Sequence, residues 1–103
     1  MKDRWYILKD KMPVPCAGLY EWARWAKQNG RHVAYDQIGE ITISTIFLGW
    51  DHRHLPESGL PPILFETMIL GGERHGYQVR TCTWHEAEEA HTQAWDLVAG
   101  VHA

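Results

Sequence analysis

Two cysteines, two phenylalanines and five prolines are all that a chain of 103 residues offers of those types, and the shortages exclude several kinds of protein. Cys16 and Cys82 are too few for a disulfide framework and too far apart for a zinc ribbon, which predicts reduced thiols in a cytoplasmic protein. The longest uncharged apolar run, Ile41 to Trp50, falls well short of the ~20 residues that a membrane helix needs. The first ten residues carry charge too often to serve as the apolar region of a signal peptide. Internal repeats and low-complexity tracts are missing as well, so residues 1–103 read as one domain, long enough to bury roughly 60–70% of its unfolded surface around a single core.

Catalytic motifs are also scarce. The chain has no Gly-x-Ser-x-Gly, no phosphate-binding glycine loop and no His-Glu-x-x-His, which His85-Glu86 followed by Glu89 only imitates. These gaps favour a protein that is not an enzyme and holds no cofactor.

What the chain has in quantity is tryptophan and histidine, six and seven residues respectively. Charge is also unevenly placed. Up to Tyr35, seven basic residues face three acids, for a net +4; from Asp36 onward three arginines face ten acids, for a net −7. Such a dipolar surface can steer a charged partner. The acidic character of the C-terminal two-thirds argues against nucleic acid, which needs a basic groove beside its aromatics.

The periodicities predict an α+β domain. Trp5–Lys9 reads as a short strand, followed by an extended Pro13-Val14-Pro15 that cannot be helical, because proline fixes its own φ and restricts the residue before it. Leu19, Trp22, Ala23 and Ala26 recur at helical spacing between Ala17 and Gln28, and Asn29-Gly30 stops that helix. Four strands are expected at Arg31–Gln37, Glu40–Leu48, Ile63–Leu70 and Tyr77–Cys82, with Gly49–Pro62 as a surface loop and the glycine-rich 71–76 as a hairpin turn. Thr83-Trp84-His85-Glu86 fits a capping box. Beyond it Trp84, Ala87, Ala90, Ala94, Trp95, Leu97, Val98 and Val101 share one broad helical arc that Gly100 ends. The resulting order is β-α-β-β-β-β-α. Its economical packing is a two-layer sandwich, an antiparallel sheet of four to five strands with both helices on one face.

Three places carry side chains that need an explanation. Asp51-His52-Arg53-His54 follows a strand, and His-x-His with an aspartate can hold a metal ion, although the spacing matches no established zinc motif. His91 falls inside the apolar arc of the last helix, so its ring nitrogens need buried partners; a satisfied core histidine is the structural reading and a general base the functional one. Glu66 interrupts an apolar strand, and Arg80 on the next strand is its expected cross-strand partner; a catalytic Glu66 would have to lie beside His91 or His52. Most tryptophans belong to core-building faces. Trp50, at the mouth of the loop, suits a contact surface.

Several phrases occur together in order: Pro13-Val14-Pro15, Trp22-Ala23-Arg24-Trp25, Ser44-Thr45-Ile46-Phe47-Leu48-Gly49, Asp51-His52, Pro61-Pro62, Leu64-Phe65-Glu66-Thr67-Met68, Gly71-Gly72, and Thr83-Trp84 leading through Glu86-Ala87-Glu88 to His91. From Trp5 to His91 the chain thereby resembles a group of small uncharacterised proteins encoded by bacteriophages and prophages. The resemblance brings no activity, cofactor or catalytic residue with it. It implies the cytoplasm of a bacterial host and an accessory protein that binds a host or phage macromolecule, in some cases to block host defence. The expected partner is a protein, docking on Trp50, Asp51, His52, Arg53 and His54. The alternatives are a metal-dependent hydrolase or nuclease using some of Asp51, His52, His54, Glu66 and His91, and a minor structural component of the virion.

Overall fold

The computed structural model describes residues 4–55 and 59–100. The chain runs β1 (Tyr6–Lys9), β2 (Met12–Pro15), α1 (Leu19–Asn29), β3 (His32–Ile38), β4 (Ile41–Phe47), β5 (Phe65–Leu70), β6 (Gln78–Thr81) and α2 (Trp84–Ala99). It is a mixed α+β fold. β3 to β6 form an antiparallel sheet in sequence order, and β1 and β2 form a separate two-stranded ribbon. No helix among the described residues is long and apolar enough to cross a membrane.

The ribbon departs from expectation. Pro13 and Pro15 pair with Leu8 and Tyr6 as a true strand. Two prolines are tolerated because β2 is an edge, where a missing N–H breaks no ladder on the outer side. The tip turns through Asp10 and Lys11, both in the left-handed region at φ 51° and 67°, the signature of a tight hairpin usually built from Asn-Gly. Lys11 offsets that strain by placing its ammonium 5.4 Å from the centre of the Trp84 ring, which ties the ribbon tip to the start of α2.

One face of the sheet is covered. Alternation along β4 and β5 sends Ile43, Thr45 and Phe47, with Phe65, Thr67 and Ile69, toward α2. The helix answers with Ala87, Ala90, His91 and Ala94, all buried, and three alanines in four let its backbone approach the sheet closely. The expected capping box is present: Thr83 accepts from the Glu86 amide, and the Glu86 carboxylate returns to the Thr83 amide.

The other predicted layer member behaves differently. α1 buries no residue fully; it rests on β1 and reaches the sheet through Trp25, whose ring meets Phe47 edge-on at 5.4 Å. Through Trp22 and Trp25 it packs against the Phe47 end of the same face that α2 covers along the rest of its length. Trp95, placed in the arc of α2, is instead exposed, one step round the helix from Ala94; Val101, assigned to the same face, lies outside the described residues.

The core has two apolar clusters. One gathers Phe47, Leu64, Phe65 and Ala87 with Trp22, Trp25 and Trp84 packed against it; the other gathers Ile43, Ile69 and Ala94 with Ile38, Ile41 and Val98. Between them, at the middle position of β4, β5 and α2, sit Thr45, Thr67 and His91.

Candidate functional site

The segment after β4 is less of a loop than its composition suggests. Leu48 and His52 donate their amides to Leu64 and Ile63, the Asp51 amide reaches the Arg4 carbonyl, and Tyr6 donates to Gly49. Residues 48–52 are therefore laced between residues 4–6 on one side and 63–64 on the other.

Asp51 locks this arrangement. Its side chain is 0% exposed. Oδ1 accepts from the amides of Arg53 (2.9 Å) and Ile63 (3.1 Å), while Oδ2 accepts from Arg53 Nε and lies 2.7 Å from Arg53 Nη2. Burial by itself would raise the proton affinity of this carboxyl, but the Arg53 side chain, the two amides and the Arg53 charge outweigh it and hold Asp51 below the ordinary carboxylate range. Arg53 extends the clasp by donating to the Leu60 carbonyl, and Arg4 Nη2 caps the carbonyls of Asp51 and Arg53 from the other side. A cation at Asp51 would have to displace a guanidinium and two amides. Among the described residues no three of His, Cys, Asp and Glu are grouped to hold a metal ion.

Of the five residues expected to meet a partner, Asp51 and Arg53 are thus turned inward. Trp50, 36% exposed, and His54 face solvent, joined by Leu55 and Leu60 from the same segment. Trp50 is braced from behind: its ring meets Trp5 at 5.0 Å, Trp5 meets Trp22 at 5.1 Å, and Arg4 and Arg31 stack on the outer members, Trp50 and Trp22. Gly49, at φ +81°, admits the row, because a Cβ there would fall 1.6 Å from Trp22 Nε1.

His52 is half-buried. Its proton affinity is lowered first by burial and then by the charge of Arg80, against an opposing pull from Glu66. His52 thus lies within electrostatic reach of that pair. Glu66 stands opposite Ile46 and Arg80 in the register; its Oε2 accepts from Arg80 Nε at 3.1 Å and from the Gln78 amide group. The expected cross-strand pair is therefore formed.

His91 is on the other face, beside Thr67 rather than Glu66. Its Nε2 is 2.7 Å from Asp36 Oδ2 and its Nδ1 is 2.7 Å from Thr45 Oγ1, which is 2.7 Å from Thr67 Oγ1. With a neutral ring the donors run one way, from Thr67 to Thr45 to His91 to Asp36, and every member is satisfied. The order imitates a hydrolase triad, but Thr45 is fully buried and beyond the reach of a substrate. Cys82, at the start of α2, keeps its proton, because burial and the Glu86 carboxylate both raise its thiol.

The sequence marked Glu66 and His91 but missed Arg4, Asp36, Thr45, Thr67 and Gln78. A signal existed for the threonines, each the one hydroxyl in the inward-facing row of its strand. None existed for Arg4, whose partners lie 47 and 49 residues away.

Compared with known proteins, the chain matches no family model, no curated protein and no solved structure.

Proposed function

We propose that the chain is a stoichiometric binding module, as expected of a small accessory protein of a phage or prophage in a bacterial host, and that it takes a protein partner on the surface formed by Trp50, His54, Leu55 and Leu60. The observation that carries this reading is the Asp51 clasp. A carboxylate buried with four donors ties residues 51–53 to residue 63, and beside that clasp the described residues present a braced Trp50 ring together with Leu55 and Leu60. Such anchors contribute most to protein interfaces when they are ordered before the partner arrives. Asp51 and Arg53 serve the surface from behind.

The test compares wild type, Trp50→Ser and Leu60→Ser as bait in lysate of a bacterial host, with Glu73→Gln, exposed in the turn between β5 and β6, as control. A partner retained by the control and weakened at least about tenfold by the Trp50 and Leu60 substitutions supports the reading. A partner held equally by all four baits places the interface elsewhere.

A further inference from the structure

β6 is an edge of the sheet, and its outer side is open among the described strands. Ile69 donates to the Tyr77 carbonyl, Leu64 donates to the Thr81 carbonyl, and Val79 stands opposite Thr67, so those three residues of the strand face β5. By the alternation of an antiparallel ladder, the N–H and C=O groups of Gln78 and Arg80 point outward. Beside that edge, between it and α2, runs a groove of about 320 Å³ lined by residues 79–82 on the strand side, Arg80 among them, and by Glu86, Glu89, Ala90 and Gln93 on the helix side. A second groove, of about 310 Å³, shares Glu89 and Gln93 and continues over His85 and Glu88.

The helix wall of the groove is acidic. α2 carries Glu86, Glu88, Glu89 and Asp96 and no lysine or arginine. Glu86 is occupied by the amides of Cys82 and Thr83, whereas Glu89 meets, among the described residues, an exposed histidine, His85, 3.4 Å away. Arg80, on the strand wall, has its guanidinium already paired with Glu66, 3.1 Å away. A strand added to β6 would lie about 4.8 Å from it, in the groove, with alternate side chains directed at α2.

We propose that the β6 edge and its groove form a strand-addition site for an extended peptide with lysine or arginine at alternate positions. Main-chain bonds to Gln78 and Arg80 supply the docking, and Glu89, with Glu88 beyond it, selects the basic side chains. The site is separate from the Trp50 surface and stands or falls without it.

The test uses a capped pentapeptide alternating lysine and threonine, a glutamate-for-lysine version, and a lysine version N-methylated on the residues that would donate to β6. Titrations into the full chain are followed by amide chemical shifts. The proposal expects the lysine peptide to move the Gln78 and Arg80 amides and those of residues 86–93. It also expects about tenfold weaker binding for the glutamate and N-methylated peptides and for the Glu89→Lys variant. Shifts confined to other elements, equal binding of the N-methylated peptide, or no shift at about 1 mM peptide would overturn it. So would a free protein that is already dimeric with both amides protected, since the occupant would then be a second copy of the chain.

Discussion

Two arginine–carboxylate pairs lie at neighbouring places in this molecule and do opposite work. In Asp51–Arg53 the carboxylate is fully buried and the N–O distance is 2.7 Å; in Glu66–Arg80 the side chains keep 12% and 44% of their exposure and the distance is 3.1 Å. The first pair is surrounded by backbone donors and closes a segment of chain. The second lies across two strands with water on one side. Removing one partner of a buried pair strands a charge where water cannot reach it, whereas an exposed pair is screened and close to neutral for stability. The chemistry is the same, and its surroundings decide whether it builds the fold or decorates it.

That contrast breaks most sharply at Asp51. Asp51→Ala leaves two amides and a guanidinium without their acceptor and should cost about 3–5 kcal/mol, read from the urea midpoint at constant m-value. Because the Asp51 carboxyl is held below its ordinary range, its contribution is present above that range and is lost as pH falls through the lowered value. The gap between wild type and variant should therefore close in acid. A variant within 1 kcal/mol of wild type at neutral pH, a loss of about the size found for exposed pairs, would mean that the clasp is ornamental.

The belt of Thr45, Thr67 and His91 should come next. His91→Leu leaves the buried Thr45–Thr67 hydroxyl pair one partner short and should cost about 1–3 kcal/mol. Adding Thr45→Val and Thr67→Val should recover most of that loss, since replacing every buried member of a polar cluster by apolar shapes is nearly neutral and Asp36, 49% exposed, keeps its solvent. If the triple variant is as unstable as the single one, the loss belongs to packing and not to unmade hydrogen bonds.

His52 sharpens the comparison through pH. Its proton affinity is lower in the fold than in the unfolded chain, so stability declines as pH drops below about 6.5 and continues to decline through the folded value. His52→Gln should flatten that part of the stability profile and leave it unchanged above neutrality. A slope that survives the substitution belongs to another group.

The smallest effect is expected at the open face. Arg80→Ala should shift stability by only about 0.2–1 kcal/mol, and by less in high salt. A larger cost would show that Glu66 is more enclosed than its surroundings indicate.

Local signals in the chain were readable, and distant ones were not. The capping box at Thr83, the alternation of β4 and the partnership of Glu66 with Arg80 all follow from residues close in sequence or on adjoining strands. The ribbon strand β2 escaped notice because two prolines count against a strand everywhere except at an edge. Asp51-His52-Arg53-His54 looked like a cluster of four equal polar residues; burial separates them, and it depends on Arg4 and Ile63, which no local pattern connects. His91 was legible as a core histidine in need of partners, but Asp36 and Thr45 could be named only once the register of β3 and β4 was known.

The glycine at position 49 has a consequence for the order in which the protein comes apart. α1 buries none of its residues completely, and the notch over Gly49 receives one of the two indoles that hold it to the rest. The sheet and α2, by contrast, share both apolar clusters and the polar belt between them. α1 should thus behave as a unit of its own, its amides exchanging with solvent through partial openings that leave the sheet intact. Enlarging residue 49 would then populate an intermediate in which a tethered helix has left a folded core.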